Sequence, residues 1–476
     1  MQLREPITMK KRLLSSYISG INDHSQGERC ATILRYFFPE FITSLLIYSL
    51  LYLVDARFIA ELRSTAIYAT VGTTNTMLHF LVKIAEGFSI GTVVMVGTYN
   101  GVHQFKKAGK ALVSAFWMTI IAGGIVAVCL YGGAFWILDG YGLPLKMIEQ
   151  GVPFLKLRSI SIFLMFVYFA LVGFLRGIKR PQQAMYIFLA GGAVFLFFDY
   201  VLIFGKLGFP ALGVLGSAWA AIIQHIVMLV LAIVYIAYDK TIRVYAISLG
   251  SCLLDKEYLK ELWQLSWPVM LDKGILAAAY LWLGAMINPM GKYAIASYTV
   301  IKDLERVAIL PAAAFAQVIT YLVSNAYGKG DWQGIKTTIK KTVFLSSLFV
   351  FAILLVFSLW PNYFIAIFDL KNKFTTFSAQ VFPFLSILVF FDLLQLVLSG
   401  ALRGAQNVRT VMYVRLAVCL GYFVPVSWFL AHMLWQSMIV KFVVVYGSFY
   451  IGNALMSIIY IHRFRGELWK KPTLKG

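Results

Sequence analysis

Apolar runs of about twenty residues recur twelve times along the chain, and short charged connectors separate them. An apolar run of about 18 or more residues is long enough to cross a bilayer. Backbone amides in lipid need internal partners, so such runs form helices. Only 13% of the 476 residues are charged, against roughly 25% in soluble domains. The sequence therefore predicts an all-α integral membrane protein with about 12 transmembrane helices.

The basic residues indicate how the chain crosses the membrane. The 42 Lys and Arg residues concentrate in the termini and in the connectors on the same side as the termini. Cytoplasmic loops carry such an excess, so we expect both termini in the cytoplasm. No Asn-x-Ser/Thr sequon occurs, which favours a bacterial inner (cytoplasmic) membrane. The net charge of +21 thus indicates topology and contact with membrane lipids, and not a nucleic-acid partner.

The sequence shows no motif for catalysis or for metal binding. The four cysteines are far apart and lack CxxC or zinc-finger spacing. There is no HExxH, phosphate loop or nucleophile–base arrangement. We therefore expect a monomeric protein that is not an enzyme and has no metal site and no cofactor. A polytopic membrane enzyme is the alternative from another functional class.

An internal repeat divides the chain. Gly173-Phe-Leu-Arg-Gly177 returns 227 residues later as Gly400-Ala-Leu-Arg-Gly404, and the same offset relates Gly101 to Gly328. Parallel repeats of this kind occur in secondary transporters, with a substrate cavity at their interface. The sequence predicts two pseudo-symmetric six-helix lobes at residues 31–237 and 262–461, a cytoplasmic linker at 238–261, and cytoplasmic tails at 1–30 and 462–476.

Two aspartates inside apolar spans are the strongest candidates for function. Asp199 and Asp392 have no basic residue within one helical turn. A carboxylate at mid-bilayer costs roughly 2.5–3.5 kcal/mol on insertion scales, so such residues are functional candidates by default. Either can bind and release a proton, or attract a cation when ionised. Asp55, near the outer end of the first span, has Arg57 two residues later and could be a solvated cap on local sequence alone.

Other charges in the spans have near neighbours that could neutralise them. Glu86 follows Lys83 by three residues and lies on the same helix face. Asp303 and Glu305 lie within a cluster that also contains two basic residues, so the four could pair among themselves. Asp272 is adjacent to Lys273, although adjacent side chains point apart. Five of these residues are additional candidates for cavity charges: Lys83, Glu86, Asp272, Asp303 and Glu305.

Taken together, these features resemble the multidrug and toxic compound extrusion (MATE) family over roughly residues 31–460. The matching pieces, in order, are Pro39, Val54-Asp55, Asn100-Gly101, Leu175-Arg-Gly177, the segment from Phe198 to Gly213, Trp267-Pro268, Pro311, and the segment from Asp392 to Gly404. The resemblance implies a multidrug efflux transporter for organic, often cationic, compounds, driven by antiport of protons or sodium through alternating access.

The resemblance also assigns roles to residues. The family's first-span aspartate falls on Asp55, and its hinge proline falls on Pro39. The fifth-span aspartate of the DinF-like branch falls on Asp199, and the tenth-span aspartate of the NorM-like branch falls on Asp392. Protonation or sodium binding at Asp55 and Asp199 is expected to displace a cationic substrate.

The chain departs from the family pattern in ways that leave the substrate and the coupling ion open. Phe195 stands where the fifth span of the family has an asparagine, and Leu276 stands where an acidic residue is expected after the span-seven proline. Lys83, Lys273, Lys302, Arg306 and Arg415 supply intramembrane positive charge. A lipid-linked oligosaccharide flippase, or an exporter of anionic metabolites, fits these charges as an alternative.

Overall fold

A computed structural model describes residues 27–46, 50–62, 64–248, 255–369 and 373–470. Helices make up most of these described residues, and no strand occurs among them. The helices are α1 (Cys30–Leu45), α2 (Leu51–Glu61), α3 (Thr65–Gly101), α4 (Phe105–Gly140), α5 (Leu145–Gly177), α6 (Pro181–Phe204), α7 (Val214–Tyr238), α8 (Lys256–Ile287), α9 (Lys292–Lys329), α10 (Trp332–Leu359), α11 (Pro361–Ala366), α12 (Thr375–Gly404), α13 (Val408–Val418), α14 (Val424–His432) and α15 (Met438–Arg465).

Eleven helices of the described part are long and apolar enough to cross a membrane. A π-helical segment, Cys419–Phe423, joins α13 to α14, and the three together form one of these spans. The first predicted span corresponds to α1 and α2, which lie on either side of residues 47–49, outside the described residues. The prediction of an all-helical, multi-span membrane protein is confirmed.

Local sequence signals explain where the helices begin and end. Pro181 occupies the first turn of α6, where its missing N–H costs no hydrogen bond. Gly205 ends the same helix in the left-handed region, with φ +66°. At the start of α10 the carboxylate of Asp331 accepts a hydrogen bond from the Gly334 amide at 2.8 Å. Prolines and caps thus fix short connectors between long apolar helices.

The helices pack into two compact units. The N-unit is Ile42–Gly274, and the C-unit is Met1–Phe41 with Ile275–Gly476, of which the described residues begin at 27. The first half of α1 packs within the C-unit, where the Phe37 ring stacks on that of Phe315 at 4.1 Å. The predicted lobe boundaries at 31–237 and 262–461 rest on the repeat and stay a prediction.

The helix packing reproduces the 227-residue repeat. A Cβ added to Gly173 in α5 would lie 2.8 Å from the backbone oxygen of Ser89 in α3. A Cβ added to Gly400 in α12 would lie 2.5 Å from the backbone oxygen of Ala316 in α9. All four residues obey the same offset, so both copies use glycine to bring the same pair of helices into close contact.

The segment after α7 in the N-unit and the segment after α15 in the C-unit fold back in the same way. In the N-unit the Tyr245 hydroxyl donates to Asn100 Oδ1 at 2.7 Å, and its ring packs on Phe105. In the C-unit Trp469 is fully buried against Trp332, and Tyr327 donates to the neighbouring Lys470 carbonyl at 3.2 Å. The contacted residues are again related by 227 positions: Asn100 and Tyr327, Phe105 and Trp332.

Candidate functional site

The N-unit brings Asp55 and Asp199 together beside Ser217. Asp55 lies on α2, Asp199 on α6 and Ser217 on α7, and α6 packs against both of the other helices. The Ser217 hydroxyl donates to Asp55 Oδ1 at 2.7 Å. Asp199 lies within electrostatic range of Asp55, and like charges at this range repel. The arrangement is a pair of acids that share one hydroxyl neighbour.

Asp199 is unusual because of how its carboxylate is buried. The side chain is completely buried, and neither carboxylate oxygen has a hydrogen-bond partner among the described residues. Buried polar groups in proteins are nearly always hydrogen-bonded. An exception of this kind needs a reason, and the reversible binding of a proton or a cation supplies one.

Small residues let α7 approach α6 beside the acids. A Cβ added to Gly191 on α6 would lie 2.3 Å from Cγ of Met228 on α7. The side chain of Phe195, one turn before Asp199, is buried and lines the adjacent cavity. This is the position where the family resemblance led us to look for an asparagine, so a ring takes the place of an amide on that turn of α6.

A cavity of about 170 Å³ opens beside Asp55 within the N-unit. Its polar lining comes from four helices and includes an aspartate, an arginine and two histidines among mostly apolar and aromatic walls. The polar residues are Asp55, Asn75, His79, Arg158, Ser161, Gln224 and His225. A mostly apolar cavity with a few convergent polar groups is the usual form of a small-molecule site.

Arg158 on α5 is a candidate site residue that the sequence interpretation did not include. It is half-buried, lines the cavity, and its buried Nε has no hydrogen-bond partner among the described residues. Its positive charge acts on both Asp55 and Asp199. Arg158 lies inside an apolar run, so the cost of burying its charge marks it as a candidate alongside the other intramembrane bases.

His225 extends the polar side of the cavity. Its Nδ1 lies 2.7 Å from the Ala221 carbonyl oxygen and 3.2 Å from the Ser161 hydroxyl. These contacts orient the ring towards α5. A histidine held in this way can exchange hydrogen bonds with a ligand through its other ring nitrogen.

The C-unit contains a second set of buried charges. Asn453 Nδ2 on α15 donates to Asp392 Oδ1 on α12 at 3.0 Å, and the charge of the buried Arg415 acts on the same aspartate. Glu305 on α9 is buried and accepts a short hydrogen bond from the Tyr446 hydroxyl, while its Oε1 has no partner in the described part of the chain.

With this geometry established, comparison with known proteins identifies the family. The family model named MatE matches residues 41–201 and 268–429. The two matches cover well over half of the chain and fall on the two copies of the repeat. The chain belongs to the MatE family. It is therefore a multi-pass membrane transporter and not an enzyme.

Relatives and solved structures agree with the MatE assignment. The chain is 22% identical to the probable multidrug resistance protein YoeA of Bacillus subtilis, over 85% of this chain and 87% of that protein. It is 24% identical to the probable multidrug resistance protein NorM of Synechocystis, over 82% and 84%. A mutant of the Vibrio cholerae MATE transporter VcmN has a TM-score of 0.84 at 15% identity, covering 93% of this chain and 97% of that one.

A further structural neighbour is a MOP superfamily transporter from Pyrococcus furiosus. It superposes with a TM-score of 0.82 at 18% identity and covers 92% of this chain and 96% of that one. At such identities the structural likeness establishes the MATE fold alone. The assignments of individual residues therefore rest on the geometry of this chain.

Lys83, Glu86 and Lys273 form a cluster of charges in the N-unit of this MatE protein. Lys83 Nζ lies 2.9 Å from Glu86, as predicted, and Lys273 Nζ lies 3.8 Å from the same carboxylate. Asp272 is buried. The Glu86 charge is thus balanced by two lysines, and its candidacy as a cavity charge stays a prediction.

The expectation that the 302–306 cluster neutralises itself is wrong in part. Arg306 pairs with Asp303 at 3.6 Å on an exposed face of α9. Within the described residues Lys302 makes no ion pair with Glu305, because tyrosines from other helices reach both of them. Helical spacing put these charges one turn apart, and tertiary contacts decided their partners.

Proposed function

We propose that this MatE protein exports organic, predominantly cationic, compounds by antiport with protons or sodium, and that Asp55 and Asp199 are the coupling pair. The observation that carries the proposal is the fully buried Asp199, whose oxygens have no partner among the described residues, beside the Ser217-bonded Asp55. A carboxylate in this state favours taking up a proton or a cation over remaining empty and ionised. The names of the multidrug resistance relatives support the export of foreign compounds.

The charges around the N-unit site suit competition between protons and a cationic cargo. With both aspartates ionised and Arg158 charged, the three groups sum to one negative charge. With both aspartates protonated they sum to one positive charge. A cationic cargo is therefore attracted in the first state and repelled in the second, which is the requirement for antiport.

The driving force is adequate for this exchange. One charge crossing about 100 mV supplies about 2.3 kcal/mol. Each pH unit of gradient adds about 1.4 kcal/mol. Two protons exchanged for one monovalent cation would use both the potential and the pH gradient.

A hinge at Pro39 fits the division of the chain. The chain passes from the C-unit to the N-unit between Phe41 and Ile42, two residues after Pro39. Proline removes one backbone hydrogen bond from a helix and permits bending. We propose that α1 bends here as access alternates. Asp392 is proposed as a further coupling acid, in the C-unit.

Gradient-driven efflux from proteoliposomes tests the proposal. The purified chain is reconstituted with a fluorescent organic cation inside, and a proton or sodium gradient is imposed. We expect Asp55→Asn and Asp199→Asn to lose gradient-driven efflux at least tenfold. The matched control is Asp139→Asn, because Asp139 is an exposed carboxylate at the end of α4. Undiminished efflux in both test variants would refute the proposal.

Arg158 favours a second candidate function, the export of anionic metabolites or of an anionic lipid-linked substrate. Its guanidinium faces the cavity, with an Nε that has no partner in the described part of the chain, and guanidinium groups bind carboxylates and phosphates well. For the Pyrococcus furiosus neighbour, a reverse polarity of the binding pocket was taken to suggest a different function. The same proteoliposomes loaded with an anionic dye distinguish the two: an anion exporter would release the anionic dye, and Arg158→Gln would abolish that release.

The cellular setting follows from the same reasoning. We propose an inner-membrane location with both termini in the cytoplasm, because the basic residues concentrate on that side. The proposed partners are membrane lipids and a small-molecule substrate, with no cofactor besides the transported ion and with a monomer as the working unit.

A further inference from the structure

Lys302 on α9 lies against two tyrosine rings in the C-unit. Its Nζ is 4.7 Å from the centroid of the Tyr280 ring and 5.5 Å from that of Tyr298. The side chain is half-buried and makes no ion pair in the described part of the chain. Two acids are its near neighbours in sequence, yet the ammonium group rests on aromatic faces. Such faces attract cations through the ring quadrupole.

The two rings are held in place by contacts that do not involve Lys302. The Tyr298 hydroxyl donates to the backbone oxygen of Tyr280 at 3.2 Å. The Tyr298 ring meets Tyr446 edge to face at 5.6 Å, and the Tyr280 ring packs against Phe449 at 5.0 Å. We name the two rings, Tyr280 and Tyr298, the ammonium cage. The cage is preorganised by the fold, as binding sites for cations require.

The charges near the cage favour a cation. Glu305 follows Lys302 by one turn of α9, and its buried Oε1 has no hydrogen-bond partner among the described residues. Asp392 and Arg415 also act on Tyr280. The negative charges of Glu305 and Asp392 equal the positive charges of Lys302 and Arg415 only while Lys302 stays in the cage. If Lys302 leaves, the site gains a local negative charge and two free ring faces.

We propose that the ammonium cage is a binding site for the ammonium group of an organic cation, and that Lys302 occupies it as a tethered competitor. A bound cation would displace the Lys302 side chain, whose long flexible stem lets the charge move away while α9 stays in place. Lys302 then sets a threshold: only cations that bind the rings better than a lysine does would enter. This inference rests on the proposed export of cations, and it adds a site and a specificity-determining residue.

Titration calorimetry on the purified full chain in a non-ionic detergent tests the proposal without any ion gradient. The probes are choline and its neutral isostere 3,3-dimethylbutan-1-ol. We expect Lys302→Met, which keeps the length of the side chain and removes its charge, to tighten choline binding by about tenfold, because both the competitor and the like charge are gone. The Lys302→Met variant should bind the neutral isostere no better than the wild type does.

Three further variants complete the test. Lys302→Arg keeps a cation on the rings and should bind choline no better than the wild type. In the Lys302→Met background, Tyr280→Leu should weaken choline binding about fivefold, whereas Tyr280→Phe, which keeps the ring, should not. Each variant is first shown by gel filtration and thermal melting to be folded.

The proposal is overturned if Lys302→Met leaves choline affinity unchanged, or if it tightens the neutral isostere equally. These binding outcomes are independent of the coupling acids, because Asp55 and Asp199 are intact in every variant. Failure of the ammonium cage would therefore leave proton-coupled efflux standing. Likewise, undiminished efflux by the Asp55 and Asp199 variants in proteoliposomes would refute the coupling proposal and leave the binding result unchanged.

Discussion

Replacing Asp199 by an apolar residue should stabilise the protein while it abolishes transport. The Asp199 side chain is fully buried and its oxygens lack partners among the described residues, so the folded state carries an uncompensated desolvation cost whether the group is ionised or protonated. Asp199→Val removes both oxygens, and valine and aspartate have similar helix propensities.

The size of the effect follows from these terms. Leaving a polar group buried without a hydrogen bond costs roughly 1–3 kcal/mol in mutational data. Valine is slightly larger than aspartate, and fitting its extra volume into the packed interior costs up to about 1 kcal/mol. The difference leaves a net gain between about 0 and 3 kcal/mol in the free energy of unfolding, with a middle value of about 1–2 kcal/mol. For a cooperative unit the size of the N-unit this corresponds to a rise of about 2–8 °C in Tm.

Thermal melting in detergent measures the stability, and proteoliposome efflux measures the function. Asp199→Asn is the matched control: it removes the charge but keeps polar atoms without partners, so its Tm should rise less than that of Asp199→Val. A fall in Tm for Asp199→Val would refute the reasoning, because it would mean that the carboxylate supports the fold through contacts that the described structure does not contain.

Three further predictions concern helix packing and the connector after α7, and thermal melting measures all of them. Gly404→Ala should lower Tm, because the new Cβ would lie 2.5 Å from a backbone oxygen, whereas Gly124→Ala, with open space around it, should not. Trp469→Ala should destabilise the C-unit by about 3–5 kcal/mol, since the indole is fully buried; an unchanged Tm would contradict its role in packing. Hydrogen bonds, first from Thr241, and the Arg180 charge lower the pKa of Asp239 to about 2. Ionised Asp239 should contribute about 1 kcal/mol to the free energy of unfolding after solvent screening. This contribution should be present above pH 4 and should vanish as pH falls through 2. At that low pH, Asp239→Asn should therefore melt like the wild type.

Much of the fold could be predicted from sequence because a bilayer imposes strict rules. Apolar length fixed the spans, and the offset between Gly173 and Gly400 predicted a repeat that the helix packing reproduces. The proximity of Asp55 and Asp199 does not follow from span length or from the repeat. They are 144 residues apart, and only the family resemblance placed them in one site.

Tertiary contacts account for what the sequence did not reveal. Arg158 was missed because nothing in its local sequence shows that it acts on Asp55 and Asp199, which lie on other helices. The partners of Lys302 and Glu305 were predicted wrongly because helical spacing cannot see Tyr280 or Tyr446 arriving from other helices. Helical spacing predicts the partner of a side chain correctly when that partner lies on the same helix. It fails when a side chain from another helix makes the contact.

The chain passes between the two units at residues 41–42 and again at 274–275. This arrangement has a consequence for biogenesis. The N-unit is one continuous stretch of polypeptide, whereas the C-unit is incomplete until its amino-terminal piece and its last helices have both been synthesised. A ribosome that stops between α7 and α8 leaves the N-unit without the first part of α8, and leaves the early piece of the C-unit without the helices against which it packs. Two fragments divided between α7 and α8 should consequently be stable only when both are produced in the same cell.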